Sequence, residues 1–160
     1  MTERSIQNAL YGMLNYQRHH KYITPNVCNV MPWECDLISV TPAGFINEFE
    51  IKLSKYDYKA DFKKRIKHEA LSEALKNPTS LWVRPTYFWY VIFGFQVDVP
   101  DYAGLMIADD GHYRIRFEEI KRAPRLSKRL INNKQKETLY RGVYWRFWQK
   151  RIDEKGGMEI

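Results

Sequence analysis

The 160-residue sequence predicts one α/β domain in which helices flank a mixed β-sheet. Three observations support this class. Apolar residues recur with helical spacing in three segments, short β-branched and aromatic runs lie between those segments, and proline or glycine turns separate the runs. Hydrophobic residues make up 44% and charged residues 28% of the chain, which is typical of a globular protein and argues against predominant disorder.

The first predicted helix runs from about Glu3 to His19, with Thr2 as its N-cap. Its apolar positions recur at three- and four-residue steps: Ile6, Ala9, Leu10, Met13 and Leu14. An extended segment from Tyr22 to Val30 follows and contains a proline. We therefore expect an amphipathic helix, followed by an extended segment that the proline interrupts.

A β-hairpin is predicted next, with strands from Asp36 to Val40 and from Phe45 to Lys52. The residues between them, Thr-Pro-Ala-Gly, favour a type I turn followed by a left-handed glycine. This loop length pairs residues whose numbers add up to 86, which places Asp36 opposite Glu50. Directly opposed Cβ atoms lie about 4.5–5.5 Å apart, so the two carboxylates should face each other.

The second half of the chain continues the alternation. A capping box at Ser54 starts a helix that runs to about Lys76 on the apolar stripe of Tyr58, Phe62, Ile66, Ala70 and Ala74. Strands are predicted at 87–95, 103–108 and 113–117, and a helix at 127–150 with Leu130, Leu139, Val143 and Phe147 buried. Residues 1–153 form the predicted domain, and residues 154–160 form a short tail that we expect to fray.

Positive charge is concentrated near the C terminus. The net charge is +7, but residues 121–151 contain eleven Lys or Arg against one acid, so this segment carries +10. Such a segment attracts a polyanion, which makes nucleic acid the leading partner. A solvated helix face is the simpler alternative, and an anionic membrane surface is a weaker one.

Other features narrow the class of protein. No apolar run approaches the length of a membrane span and no secretory signal is evident, so we expect a cytoplasmic protein that is not inserted in a membrane. Cys28 and Cys35 are too few for a disulfide framework and are expected to be reduced thiols. Zinc binding with His19 and His20 is disfavoured, because adjacent histidines on a helix point about 100° apart.

The hairpin carries the main candidate for chemistry. Asp36, Glu50 and Lys52 share one face, while the other face carries Leu37 and Ile51 among its core residues. Opposed like charges destabilise a sheet unless they are compensated, and a divalent cation is the simplest compensation for carboxylate oxygens. Glu48 is a further candidate metal ligand. The alternative is a surface hairpin whose solvated acids are neutralised by nearby lysines.

At these residues the sequence resembles the PD-(D/E)XK nuclease superfamily, especially its small MmcB-like members of the DNA-repair type. The resemblance covers roughly residues 30–124. It is carried by Cys35-Asp36-Leu-Ile-Ser-Val, Phe49-Glu50-Ile51-Lys52, the segment from Ser54 to Lys63 and the block from Val99 to Leu105. The sequence departs from the pattern at Cys35, where the family has the proline of its name.

The resemblance implies a restriction-endonuclease-like αβββαβ core with a basic C-terminal helix added here. It also implies that Asp36 and Glu50 bind Mg²⁺ or Mn²⁺ and that Lys52 lies beside the attacked phosphate. The family often adds an acid from the first helix, for which Glu3 is the candidate and Gln7 is next on that face. Lys63 occupies a position that the family pattern matches.

The expected activity is metal-dependent hydrolysis of DNA phosphodiester bonds in repair, recombination or phage-type DNA metabolism, with RNA a less favoured substrate. The basic side chains expected to contact nucleic acid lie on the second and last helices: Lys63, Lys64, Lys67, Arg141, Arg146 and Lys150. Asp57 and Asp61 are interpreted as capping or helix-positioning groups, and the pair His68 and Glu69 as ordinary helix surface.

Two questions stay open at this point. The same fold could serve as a non-catalytic nucleic-acid-binding module, and a homodimer is compatible with an enzyme whose single site cuts one strand. Many aromatic rings are expected in the core, although some of those at 87–90 and 144–148 could stack on unpaired bases.

Overall fold

The computed structural model describes residues 1–80 and 83–154. Within these ranges, the chain order of helices and strands is α1 (Glu3–Gly12), β1 (Lys21–Val27), β2 (Cys35–Val40), β3 (Ile46–Lys52), α2 (Lys55–Asp61), α3 (Arg65–Lys76), β4 (Tyr87–Phe93), β5 (Ala103–Asp110), β6 (Ile115–Lys121) and α4 (Asn133–Glu154). A π-helical turn at Met13–Gln17 continues α1. Every described helix is too short or too polar to span a lipid bilayer.

The six strands form one mixed sheet in the order in which they occur along the chain. Strands β1, β2 and β3 are antiparallel neighbours, β3, β4 and β5 run parallel, and β6 returns antiparallel to β5. A parallel pair needs a crossover connection, and α2 and α3 supply it between β3 and β4. The predicted α/β class, with a mixed sheet flanked by helices, is therefore confirmed.

The hairpin between β2 and β3 has the predicted register. Val40 pairs with Ile46 and Ile38 pairs with Glu48, so paired numbers add up to 86. The turn is closed by the Gly44 amide, which donates to the Thr41 carbonyl at 2.9 Å. Gly44 has a φ of 94°, a left-handed conformation that side chains with a Cβ rarely adopt.

Helices cover both faces of the sheet. The α1 face buries Ile6 and Leu10 against a layer that includes Leu37, Phe49 and Ile51 of β2 and β3. The opposite face packs α2 and α3 on β4 and β5 through a second apolar cluster: Tyr58, Leu71, Ala74, Phe88, Tyr90, Ile92 and Leu105. Residues of β3 therefore alternate between the two layers, which fixes the face to which each side chain belongs.

The first helix begins as predicted. Thr2 accepts a hydrogen bond from the Ser5 amide, and the Ser5 hydroxyl returns the contact at the Thr2 backbone, which completes a capping box. The helical conformation ends at Gln17 rather than at His19, because His19 adopts a positive φ of 55° that no right-handed helix contains.

The predicted helix from Ser54 to Lys76 is two helices. Ser54 caps α2 through the Asp57 amide, but α2 ends at Asp61 and α3 starts at Arg65. This break changes the rotational phase of α3. Ile66, predicted to be buried, is 74% exposed, whereas Lys67 is 1% exposed. The apolar stripe was therefore wrong at Ile66 and at Phe62, which is 37% exposed, whereas Tyr58 and Ala74 are buried as predicted.

The C-terminal helix also differs from its prediction. It starts at Asn133 rather than near Ser127 and extends to Glu154. Leu139 is buried as predicted, but Val143 and Phe147 are exposed, because α4 contacts the sheet mainly at β1 and leaves most of its circumference free. Leu130, which precedes α4, is also exposed rather than buried. The predicted tail at 154–160 lies outside the described residues except for Glu154.

Candidate active site

One face of strand β3 carries a row of charged side chains into the layer below α2 and α3. Glu48, Glu50 and Lys52 are two residues apart and therefore share that face. Glu48 and Glu50 are 0% exposed and Lys52 is 9% exposed. Burial of ionisable groups is costly unless partners compensate their charges, so the partners decide what this row can do.

Glu50 is surrounded by ammonium groups. Its Oε1 lies 2.7 Å from Lys52 Nζ and 3.3 Å from Lys64 Nζ, and its Oε2 lies 2.7 Å from Lys67 Nζ. Lys67 is buried, and burial alone would lower its pKa; the charge of Glu50 and the neighbouring acids reverse this and raise the pKa of Lys67. Lys67 therefore remains charged inside the protein.

Asp61, at the end of α2, is the second carboxylate of this cluster. Its Oδ1 lies 3.3 Å from Lys52 Nζ and 3.1 Å from Lys64 Nζ. Its Oδ2 accepts a hydrogen bond from the Tyr90 hydroxyl at 2.8 Å. Burial alone would raise the pKa of Asp61, but the hydrogen bond to His68 and the charge of Lys67 outweigh it and hold that pKa well below its usual range.

His68 supports Asp61 from α3. Its Nδ1 lies 2.6 Å from the Tyr102 hydroxyl, and its Nε2 lies 3.1 Å from Asp61 Oδ2. The His68 side chain is 11% exposed. Its interpretation as ordinary helix surface is therefore wrong, because the break before α3 turns this side of the helix toward the sheet.

Asp36 reaches the same region from β2. Its Oδ2 accepts a hydrogen bond from the Ile51 amide at 2.7 Å. Burial and the charge of Glu50 raise the pKa of Asp36 to about 7, even though the Ile51 hydrogen bond opposes the shift. Asp36, Glu50 and Lys52 thus lie together at one end of the hairpin, the juxtaposition that the register predicts.

Glu48 lies deeper in the same row. Its Oε1 accepts a hydrogen bond from Trp33 Nε1 at 2.8 Å, and its buried Oε2 has no hydrogen-bond partner among the described residues. Burial raises the pKa of Glu48 to about 7; the charge of Lys67 opposes this rise and that of Glu50 adds to it. Its depth and its Trp33 contact separate Glu48 from the exposed end of the site.

The balance of charge in the cluster leaves room for a cation. Four carboxyl groups, those of Asp36, Glu48, Glu50 and Asp61, face three ammonium groups, those of Lys52, Lys64 and Lys67. The raised pKa values fall on Asp36 and Glu48, the two acids without a direct lysine contact. A divalent cation near Asp36 would relieve the repulsion between Asp36 and Glu50.

The donor set fits magnesium better than a metal held wholly by protein. Across residues 1–80 and 83–154, no group of three or more His, Cys, Asp or Glu side chains is arranged to hold a metal ion. Mg²⁺ commonly binds one or two carboxylates and takes its other ligands from water and phosphate, which two acids can satisfy. Asp36 and Glu50 are therefore the residues that could hold it.

Glu3 approaches the site without completing it. Its Oε1 accepts a hydrogen bond from Gln7 Nε2 at 3.1 Å, and the same amide group donates to the Asp36 carbonyl at 2.9 Å and to Asn26 Oδ1 at 3.0 Å. Gln7 therefore ties α1 to β1 and β2 beside Asp36. Glu3 is placed at the rim of the site rather than among the buried acids.

Access to the site is uneven. The Lys64 side chain is 50% exposed, whereas that of Glu50 is 1% exposed. Asp36 is partly exposed and lies at the start of its strand. Asp36 and Lys64 are therefore the more exposed groups of the cluster, and Glu50 and Lys52 are the more buried ones.

The basic residues predicted to contact nucleic acid fall into three groups. Lys63, Arg141 and Lys150 are exposed, and Lys64 is half exposed at the mouth of the site. Lys67 is buried with Glu50 and Asp61, so a direct contact with nucleic acid is ruled out by its position and that prediction is wrong. Arg146 donates to the Pro25 carbonyl at 2.6 Å, which makes it a link between α4 and β1.

Sequence reasoning missed part of the cluster. It did not assign Asp61, His68 or Tyr90 to the site, although Asp61 was given a helix-positioning role, and it expected Lys67 to contact nucleic acid. Periodicity could not reveal the burial of Lys67 and His68, because the three residues between α2 and α3 reset the helical phase. The sequence does contain one usable signal, which is the large number of charged residues in the segment of α2 and α3, although these helices must cover the sheet.

Comparisons with known proteins place the fold but not the activity. No protein-family model matches the sequence, and no curated protein is significantly similar to it. A solved structure of a protein of unknown function from Silicibacter pomeroyi is similar over 100% of this chain and 98% of its own length, with a TM-score of 0.67 and 18% sequence identity. This chain therefore shares its α/β fold with that protein.

Proposed function

We propose that the protein is a Mg²⁺- or Mn²⁺-dependent nuclease that hydrolyses DNA phosphodiester bonds, built on a restriction-endonuclease-like αβββαβ core. One observation carries the proposal. Asp36 and Glu50, on neighbouring strands, lie close enough for the charge of Glu50 to raise the pKa of Asp36, and Lys52 Nζ lies 2.7 Å from Glu50 Oε1. The order α1, β1 to β3, α2 with α3, and β4 agrees with the proposed core.

In this proposal Asp36 and Glu50 would hold the metal. When bound, the metal would lower the pKa of a water molecule and stabilise negative charge on the phosphate. The Ile51 amide fixes Asp36 Oδ2 and leaves Asp36 Oδ1 for this role. Glu50 would exchange an ammonium contact for the cation, a change that the neighbouring lysines can accommodate because they also contact Asp61.

Lys52 would donate a hydrogen bond to a phosphate oxygen. Asp61 Oδ1 lies 3.3 Å from its ammonium group and keeps that group at the end of β3 when Glu50 turns to the metal. An ammonium group positioned in a site of low water content stabilises developing negative charge strongly. Lys64, at the exposed mouth, would contact the entering DNA backbone.

A non-catalytic nucleic-acid-binding module is the second candidate. It is favoured by the contacts of Glu50. This residue is fully buried, and each of its two carboxylate oxygens already contacts an ammonium group. In that case the cluster would be a structural element, and the basic C-terminal segment would provide the affinity for nucleic acid.

Cleavage of a panel of DNA substrates separates the two candidates. The panel contains linear duplex, nicked, branched and single-stranded DNA in Mg²⁺ and in Mn²⁺. Lys52→Ala should lower the cleavage rate by about 100-fold or more. Lys59→Ala, at an exposed position of α2, is the matched control and should cleave at the wild-type rate.

Because Lys52 is buried, thermal unfolding must show that Lys52→Ala is folded, and Asp36→Asn provides a second, more exposed test of the same site. Cleavage that is lost in both variants and in a chelator supports the nuclease. Wild-type protein that binds DNA but leaves every substrate uncut in both metals would contradict it and support the binding module.

A further inference from the structure

A cleft of about 730 Å³ lies between strand β1 and helix α4, at the edge of the sheet opposite to β6. One wall contains Thr24, Asn26 and Cys28, and the other contains Tyr144 and Trp145. Trp145 lines the cleft and is 64% exposed. A tryptophan with most of its surface open to solvent is unusual on an ordinary polar surface. The ring is available to a ligand.

The chemistry of this cleft combines aromatic rings with positive charge. Arg141 lines it and makes no ion pair with another described residue. Helix α4 carries six Lys or Arg against three acids, and the segment before it is still more basic. Aromatic faces beside unpaired cations bind the bases and phosphates of single strands, because every base can stack and every phosphate is negative. Duplex DNA keeps its bases paired and cannot use the rings.

Arg146 makes the cleft a preformed one. Its Nη1 donates to the Pro25 carbonyl at 2.6 Å and lies 3.4 Å from the Asn26 carbonyl, which fixes α4 against β1. Tyr22 and Tyr140 pack edge to face at 5.2 Å and fix the same pair of elements near the start of the helix. A rigid wall lowers the entropic cost of ligand binding.

The cleft adjoins the candidate active site. Asn26, in its wall, accepts a hydrogen bond from Gln7 Nε2, and the same group donates to the Asp36 carbonyl. Val27, the neighbour of Asn26, pairs with Cys35, the neighbour of Asp36. A strand held in the cleft would therefore lead to the exposed end of the site, where Asp36 lies.

We infer that the cleft between β1 and α4 binds single-stranded DNA, with bases stacked on Tyr144 and Trp145 and a phosphate on Arg141. This deepens the proposed function and rests on it, since it makes an unpaired strand the form of substrate that enters the site. The charge of α4 favours this occupant over a second copy of the chain, because pairing two basic helices would oppose like charges.

The test is fluorescence anisotropy with a labelled oligothymidine of about 15 nucleotides, a length near the upper end of single-strand site sizes, in a chelator that prevents cleavage. Trp145→Ala should weaken binding by about tenfold, the loss expected for one stacked base. Arg141→Gln should weaken it by a smaller factor and lower the slope of log affinity against log salt by about 0.7.

Tyr113→Ala and Arg114→Gln are matched controls. Both residues are exposed and lie just before β6, at the opposite edge of the sheet. They should bind oligothymidine within about twofold of the wild type, as expected for surface positions that make no contact with the ligand. Binding of a duplex of equal length should be weaker than that of the single strand and insensitive to Trp145→Ala.

Wild-type affinity in Trp145→Ala would overturn the inference, as would a wild-type dimer that this substitution converts to a monomer in sedimentation. The experiments can contradict the proposed function independently of this inference. Loss of oligothymidine binding in Trp145→Ala without cleavage by the wild type supports the cleft and contradicts the nuclease. Cleavage that depends on Lys52 but is indifferent to Trp145 supports the nuclease and contradicts the cleft.

Discussion

Positively charged side chains are buried and paired at the centre of the sheet, but they are mostly exposed at its β1 edge. Around Glu50, lysines from β3, the connection after α2, and α3 are drawn inward and paired with acids. Along α4, most of the arginines and lysines are exposed beside exposed rings, and Arg141 has no ion-pair partner among the described residues.

The buried charges are held in fixed positions, whereas the exposed charges are available to a ligand. A buried ion pair is held in one geometry, and removing one partner leaves an uncompensated charge in a medium that solvates it poorly. An exposed charge contributes little to stability but can exchange water for a phosphate. Stability measurements should therefore respond to the buried cluster, and binding measurements to the exposed helix.

The largest expected effect on stability is that of Lys67→Met. The substitution keeps an apolar stem beside Phe88 but removes the ammonium group that lies 2.7 Å from Glu50 Oε2. Because Glu50 is then a poorly compensated buried charge, the free energy of unfolding should fall by about 3–5 kcal/mol in urea denaturation.

Lys64→Met is the control for that experiment, since Lys64 contacts the same two acids from a half-exposed position. It should change the free energy of unfolding by about 1 kcal/mol or less. Equal losses in the two variants would show that burial does not separate these lysines and would remove the basis of the comparison.

Arg146→Gln should have an intermediate effect. Arg146 is the basic residue of α4 that behaves like the buried cluster, because its guanidinium donates to backbone carbonyls of β1. Loss of a charged donor from those carbonyls should lower the free energy of unfolding by about 2 kcal/mol. Arg141→Gln, in the same helix, should stay within about 0.5 kcal/mol of the wild type. A loss in Arg141→Gln as large as that in Arg146→Gln would argue against the proposed link.

The smallest effect concerns a group that is buried without an acid. His20 Nδ1 lies 2.8 Å from the Ser39 hydroxyl, and burial together with the charge of Arg18 lowers the pKa of His20 to about 4. The unfolded chain, with a His pKa near 6.5, binds more protons in this range, so stability falls as pH falls from about 6.5 to 4.

His20→Gln should remove this contribution. The loss of unfolding free energy between pH 7 and pH 5 should shrink by about 1–2 kcal/mol relative to the wild type. Urea denaturation at the two pH values measures it. An unchanged pH dependence in His20→Gln would mean that this imidazole accepts a proton in the folded protein as easily as in the unfolded chain.

Local patterns in the sequence were sufficient where the structure depends on neighbouring residues. The turn from Thr41 to Gly44 set the register of β2 and β3, and that register placed Asp36 beside Glu50 and Lys52. The N-caps Thr2 and Ser54 and the aromatic run from Tyr87 likewise identified where α1, α2 and β4 begin.

Patterns failed where tertiary contacts decide. After the break before α3, Ile66 is exposed and Lys67 is buried, the reverse of what was expected. Burial of Lys67 is possible because its charge is compensated by ion pairs with Glu50 and Asp61. In α4, Val143 and Phe147 have helical spacing but no sheet surface to cover. Neither outcome can be derived from hydrophobicity alone, since each depends on what lies opposite.

The three-residue break from Phe62 to Lys64 has a consequence for how this protein can change over evolutionary time. Each residue gained or lost within continuous helix rotates everything after it by about 100°. A one-residue deletion here would swing Lys67 and His68 away from the sheet together, so that Glu50 would lose its Lys67 contact and Asp61 its His68 contact. The length of this short connection should therefore resist insertion and deletion more strongly than the identities of its exposed side chains resist substitution.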